Sequence, residues 1–342
     1  MSLKGRKMIR AAIVGLGRWG QNLVTSVRDS EAIRFTAANT RNGNTASAFC
    51  QANGLRWTGD FDDILRDPAI DAVVLATPHS LHADQVKRAT AEGKHVFVEK
   101  PFALNAADAR TMIEAAASAG IILAVGFNRR FHPSMARMRA TVKSGMLGTI
   151  VTINAEQTAL HGMSMAADAW RVSPDEAPGG AMTAIGVHLI DGMIDLLGRV
   201  KEVNAIVSRR AAPLADDTTH LQLQFESGAL GQVFCSTAAA PHYRFAAYGT
   251  GGFAEILGHP MATFRLMRTV PGDHHRPAEP EVTETPGFNM LTAELEAFAA
   301  SIAAQRPFPT PLAEILHGVE VFEAILQSAK TERSVTLASV RY

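Results

Sequence analysis

Ile9-Arg10-Ala11-Ala12-Ile13-Val14-Gly15-Leu16-Gly17-Arg18-Trp19-Gly20 is the stretch on which the fold turns. A short apolar strand runs into Gly-x-Gly-x-x-Gly, and Asn22 to Val27 then reads as helix. In that order the first glycine permits a tight turn, the second lets the backbone approach a pyrophosphate, and the third lets helix and strand pack closely. The phosphate then sits at the helix N-terminus, where unpaired N–H groups and the helix dipole favour an anion. Glycines spaced in this way are weak evidence alone; after a strand and before a helix they predict a dinucleotide site. Gly15, Gly17, Arg18, Trp19 and Gly20 are its candidate contacts.

The same grammar repeats outward. The strand Ile33 to Ala38 ends at Asn39-Thr40-Arg41, where an NAD enzyme carries an acid for the adenine ribose hydroxyls. No carboxylate stands there, and the hydroxyl of Thr40 with the guanidinium of Arg41 suits the extra 2′-phosphate of NADP, with NAD as the alternative. Ile70 to Ala76 is a continuous apolar strand, as expected when both faces are covered. It ends in Thr77-Pro78-His79 before the helix Leu81 to Glu92. His79 and His82 lack a third ligand nearby in sequence, so no metal is expected. The strand His95 to Val98 stops at Glu99-Lys100-Pro101, an acid, a base and a proline where an open parallel sheet faces its ligand crevice. The helix Ala106 to Ala119 and the strand Ile121 to Phe127 follow, ending at Asn128-Arg129-Arg130. This alternation predicts a Rossmann-type, doubly wound parallel sheet over residues 1–128, with Thr77, Pro78, His82, Glu99, Lys100, Pro101 and Asn128 as further candidate cofactor contacts.

From about residue 149 the pattern changes to period two, with Val151, Ile153 and Ala155, then Leu221, Leu223 and Phe225, and glycine between the runs. This predicts an α+β domain over residues 129–342 with an open, mainly antiparallel sheet. One helical segment interrupts it, Gly179 to Asp191; on a helix His188, Asp191 and Asp195 share a polar stripe, and an acid beside a histidine can orient the imidazole. Residues 270–288 read as an exposed loop, and Met290 to Ala304 and Leu312 to Lys330 as closing helices.

Composition narrows the function classes. The 342 residues carry 33 Lys+Arg against 33 Asp+Glu with no like-charge run, so neither nucleic acid nor an anionic membrane is an expected partner. A small polar organic ligand fits better. The two cysteines, Cys50 and Cys235, have no partner motif, which fits a reducing, cytoplasmic compartment.

Taken together, the glycine turn, Glu99-Lys100-Pro101, Gly126-Phe127-Asn128-Arg129-Arg130, Trp170-Arg171 and the Gly179-Gly180 to Gly186-x-His188-x-x-Asp191 helix closely resemble the glucose-fructose oxidoreductase, inositol dehydrogenase and MocA family over nearly the whole chain. The resemblance implies hydride transfer between a nicotinamide cofactor and an alcohol or carbonyl carbon of a sugar, cyclitol or related polyol. It places Lys100 beside the nicotinamide as acid/base, Pro101 after a cis bond, Trp170 and Arg171 by the cofactor, and His188 on the substrate oxygen. A lysine close to a positively charged ring serves as a base because its ammonium form is disfavoured there. The substrate would be lined by His161, Asp168, Arg171, His188 and Asp191, and a homodimer or homotetramer would form through the free face of the second sheet.

One position departs from the family. Many of its dehydrogenases carry an aspartate four residues before the histidine, and here that residue is Ala184. Asp191 or Thr183 could substitute, the substrate could differ, or turnover could be absent. A nicotinamide- or sugar-sensing protein is therefore an alternative, and so is a glycosidase that keeps its NAD bound through a redox cycle.

Overall fold

The structure is a computed structural model that describes residues 8–41, 43–270 and 272–338. The chain divides into two compact units: residues 1–128 with 289–315, and residues 129–288 with 316–342.

In the first unit β1 (Ile9–Val14), β2 (Ile33–Asn39), β3 (Arg56–Thr58), β4 (Ala72–Leu75), β5 (His95–Val98) and β6 (Leu123–Val125) form one parallel sheet in the order β3-β2-β1-β4-β5-β6. Helices α1 (Arg18–Ser26), α2 (Gly43–Asn53), α3 (Phe61–Leu65), α4 (His82–Ala91) and α5 (Ala106–Ala119) connect the strands. The apolar runs are continuous because both faces are covered; every residue of β4 is buried. Helix ends follow local chemistry: Asp60 caps α3 through the Asp62 N–H, Asn105 caps α5 through the Asp108 N–H, and Gly120 ends α5 at φ +64°.

The second unit is built on α6 (Pro133–Lys143), β7 (Ile150–Thr158), α7 (Val187–Leu197), β8 (Val200–Ser208), β9 (Thr218–Phe225), β10 (Leu230–Ser236), β11 (His242–Gly249), β12 (Gly252–Leu257), β13 (Thr263–Val270), β14 (Asp273–Pro277) and β15 (Glu281–Glu284). After α8 (Met290–Ala304) and α9 (Leu312–Thr331), the short β16 (Val335–Thr336) closes a ten-stranded sheet ordered β14-β13-β12-β11-β7-β10-β9-β8-β16, with β15 beside β13. It is antiparallel except where β7 and β10 run together. Inward residues alternate cleanly along β9, where Thr219, Leu221, Leu223 and Phe225 are buried.

Two expectations change. The stretch read as a loop over 270–288 contains β14 and β15; Glu281–Glu284 pairs with Leu266–Thr263 at the sheet edge, and its mostly exposed side chains leave no alternation to read. Residues 289–315 belong with the first unit, where α8 packs against α1, β1 and β2, and Thr292 donates to the Ser26 carbonyl.

Candidate functional site

The order β3-β2-β1-β4-β5-β6 reverses direction at β1 and β4, and ligands of open α/β sheets bind outside the carboxyl ends of the strands at such a switch point. The turns at that edge are tied by backbone bonds: Gly15 N–H to Asn39 O at 2.9 Å, Ala76 N–H to Val14 O at 2.8 Å, Glu99 N–H to Leu75 O and Gly126 N–H to Val98 O at 2.9 Å each.

The glycines of the first turn divide by cause. Gly15 has φ +93°, and a Cβ there would press on the Ala76 carbonyl. A Cβ at Gly20 would run into the Gly15 carbonyl oxygen. Gly17 has an ordinary φ of −71° and nothing within 4 Å of the place a Cβ would take. Neither backbone nor packing requires a glycine at 17, but a phosphate drawn up to the backbone does. Gly17 opens α1 with no side-chain cap, and the indole Nε1 of Trp19 is buried without a hydrogen-bond partner. This arrangement fits a dinucleotide pyrophosphate. Arg18 is exposed beside it.

At the end of β2, Asn39 is buried and donates to the Thr58 carbonyl at 3.1 Å, while Thr40 is half-buried and Arg41 exposed. The sequence reading passed over Trp57, 44% exposed, whose indole N–H donates to Thr40 O at 3.2 Å. An exposed tryptophan bonded to the turn that would meet the adenosine end is the available signal.

Thr77 donates to Gln85 at 2.6 Å, and Pro78 leads into a short 3₁₀ turn. His82 is fully buried: its Nδ1 lies 3.1 Å from Pro101 O and 3.3 Å from Phe102 O, and its Nε2 3.3 Å from Thr77 O. The ring stands between the Pro101 segment and the turn after β4. The Lys100–Pro101 peptide is cis. Glu99 is buried and its Oε2 accepts the Lys100 N–H at 3.3 Å; Lys100 is half-buried, and Asn128 is buried beyond β6. The first unit thus gathers Gly15 to Gly20, Thr40, Thr77, Glu99, Lys100 and Asn128 along one sheet edge.

The second unit carries the other candidates. His161, Asp168 and Arg171 are exposed on the segment between β7 and α7, where the Arg171 guanidinium lies over the Trp170 ring at 4.0 Å. The Gly162 N–H to Thr237 O bond (2.8 Å) anchors this segment. Gly180, at φ +44°, lets it pass close to Asp216, whose carbonyl a Cβ would strike.

The helix that follows does not start as a regular α-helix. Met182–Gly186 forms a π-helical turn, with the Val187 N–H bonded to Met182 O, before α7 begins. Such turns insert one residue into the ladder and alter which side chains share a face. Thr183 is buried and its hydroxyl donates to Pro178 O. His188 is buried in the first turn of α7. Asp191 is forked to Arg130, with Nε to Oδ2 at 2.8 Å and an Nη to Oδ1 at 2.7 Å; both side chains are about 6–7% exposed. Asp195 is held by Arg139 at 2.6 Å. The acidic stripe is therefore engaged by arginines of the preceding helical region, a partnership spanning 61 residues that spacing along α7 could not reveal. Arg129 lies over the Tyr243 ring at 5.3 Å; burial lowers its affinity for a proton and raises the Tyr243 phenol. Among the described residues no group of three or more His, Cys, Asp or Glu is placed to hold a metal ion.

A glycine turn at a switch point, on the same sheet edge as a lysine two strands away, is the arrangement of a dinucleotide-binding module. The match to family models is specific: residues 9–127 match the oxidoreductase family with an NAD-binding Rossmann fold, and residues 135–255 match the C-terminal domain of the same family. The chain belongs to the Gfo/Idh/MocA family of NAD(P)-dependent oxidoreductases. It is 29% identical over 260 residues to a scyllo-inositol 2-dehydrogenase (NAD(+)) of Bacillus subtilis, covering 73% of this chain and 71% of the relative. A solved aldose-aldose oxidoreductase from Caulobacter crescentus complexed with glycerol is similar at TM-score 0.84 and 26% identity, covering 97% and 100% of the two chains. A levoglucosan dehydrogenase complexed with NADH shares the fold at TM-score 0.88, 22% identity and coverage of 98% and 100%.

Proposed function

We propose that the protein transfers a hydride between NADP and an alcohol or carbonyl carbon of a sugar, cyclitol or related polyol. One observation carries the reading: Lys100 stands at the carboxyl end of β5, on the same sheet edge as a glycine turn whose Gly17 is left open for a ligand. The nicotinamide, when bound, supplies the hydride chemistry. Lys100 takes the hydroxyl proton during oxidation and returns it during reduction. His188 serves as the second proton-handling group, and Glu99 fixes the backbone of Lys100. Thr40 and Arg41, in place of a carboxylate after β2, support NADP over NAD. The scyllo-inositol, aldose and levoglucosan enzymes act on sugars and cyclic polyols by name, and support that substrate class. The outer face of the second sheet, which exposes Ile206 and Leu230, supports a homodimer or homotetramer.

The test is fluorescence titration with NADPH and NADH separately, followed by a panel of inositols, aldoses and their keto forms. We expect tighter NADPH binding, and turnover with at least one cyclic polyol. Lys100→Ala should lower turnover at least about a hundredfold with cofactor affinity retained, since general acid/base groups contribute about 10²–10⁴-fold. Full activity in that variant would sink the assignment.

A second reading, a nicotinamide- or sugar-sensing protein without turnover, is favoured by position 184. The Thr183 hydroxyl is engaged by Pro178 and the Asp191 carboxylate by Arg130, so neither takes the place of an aspartate at Ala184. NADPH binding with no turnover across the panel selects this reading.

A further inference from the structure

Glu294, on the first helical turns of α8, is 0% exposed, and neither of its side-chain oxygens has a hydrogen-bond partner among the described residues. An ionised carboxylate sealed in this way costs far more than a neutral one. Burial, followed by the charge of Glu99, pushes Glu294 well above the usual carboxylate range.

Packing in the first unit accounts for the meeting of these two acids. Phe97 of β5 and Phe298 of α8 touch edge to face, with ring centroids 5.7 Å apart. Glu99 lies two residues on from Phe97, on the same side of an extended chain, and Glu294 one helical turn before Phe298. Continuing from that contact, Glu294 comes within reach of the charge of Glu99. Gly126 closes over Glu99, since a Cβ there would stand 2.9 Å from its Oε1. The other oxygen, Oε2, accepts the Lys100 N–H at 3.3 Å. Two ionised carboxylates offer acceptors only; a single proton between them turns repulsion into a short, charge-assisted O–H···O⁻ bond.

We propose that Glu294 is a positioning residue, a neutral carboxylic acid that donates to the Glu99 carboxylate and so holds Glu99 against the backbone of Lys100. Its importance for turnover rests on the reading of Lys100 given above; the shared proton does not. A carboxyl present for packing alone would be replaced by an apolar side chain with no loss, because removing a buried, unpartnered polar group is neutral or stabilising.

The test uses the full chain without added cofactor, as wild type, Glu294→Gln and Glu294→Leu. Infrared difference spectra at neutral pH should show the C=O stretch of a protonated carboxyl in the wild type that vanishes in Glu294→Gln. Acetylation of Lys100 by acetic anhydride, followed by mass spectrometry across pH, reports where the lysine sits. Glutamine keeps a donor to Glu99 and should leave that profile unchanged. Leucine removes the donor and frees Glu99 to turn its charge toward Lys100, so the profile should move to higher pH and the melting temperature should fall. The proposal is overturned by the absence of a protonated-carboxyl band, by an unmoved profile in Glu294→Leu, or by equal shifts in both variants. A Leu variant whose melting temperature holds or rises with an unmoved profile would mean that Glu294 only packs. An active Lys100→Ala enzyme would remove the lysine's role yet leave the infrared band in place, so the two failures are told apart.

Discussion

At the carboxyl edge of the first sheet the candidate groups are held by backbone: carbonyls surround the His82 ring, backbone hydrogen bonds tie each turn to its neighbour, and glycines let the segments close up. Around α7 in the second unit the corresponding work is done by charge, with Arg130 forked to Asp191 and Arg139 to Asp195. Backbone anchoring leaves side chains and open space for a ligand, whereas ion-pair anchoring engages them. An acid near a histidine is therefore a poor guide to catalysis until its partners are known.

Removing the charge anchor should have the largest effect. Arg130→Met would leave Asp191 buried without its fork, and we expect a loss of about 3–5 kcal/mol in urea unfolding, with most of it restored in the Arg130→Met/Asp191→Leu double variant. A cost below about 1 kcal/mol would place this pair with ordinary surface bridges and erase the contrast.

Asp217 tests whether a carboxylate in the second unit can also be held by backbone. It is fully buried and accepts from the N–H groups of Arg210, Ala211 and Ala212 and from the Thr218 hydroxyl. Burial pushes its pKa up, but the Thr218 and backbone bonds outweigh burial and hold it below the ordinary aspartate value. A depressed carboxylate contributes stability above its unfolded pKa of about 3.9 and loses it as pH falls through the folded value. Asp217→Asn should therefore cost about 1–3 kcal/mol at neutral pH. Its unfolding midpoint should depend less steeply on pH than the wild type's below about pH 4.

The smallest effect on stability falls where the backbone leaves room. Gly17→Ala should change unfolding by less than about 0.5 kcal/mol, since nothing lies within 4 Å of the new methyl, yet weaken dinucleotide binding in the NADPH titration. Gly20→Ala, which drives a methyl into the Gly15 carbonyl, should lower the melting temperature and binding together. Equal behaviour of the two variants would break the assignment of Gly17 to a ligand.

These contrasts track what the sequence makes legible. The parallel sheet is readable because burial on both faces writes continuous apolar runs such as Ala72 to Leu75, and the glycine turn because its spacing is local. Strand ends place Glu99, Lys100 and Thr77 at one edge without further information. Contacts between distant segments leave no such trace: Arg130 with Asp191, Phe298 with Phe97, and Trp57 with Thr40 are chosen by the tertiary fold. The π-helical turn before His188 is equally hidden, since Met182 to Gly186 has an ordinary helical composition. The edge strand Glu281–Glu284 lacks a buried face and therefore an alternating pattern.

The first unit draws on two separated stretches of chain, 1–128 and 289–315. On a ribosome the first six strands emerge well before α8, which supplies Phe298 against Phe97 and Glu294 beside Glu99. At about 5–20 residues per second, the intervening chain takes on the order of ten to forty seconds to synthesise. Throughout that interval the nascent nucleotide half exposes the apolar face that α8 will cover, and the Glu99-Lys100-Pro101 segment lacks its acidic neighbour. The packing of this half is thereby completed only after translation has passed through the whole sheet-forming insert.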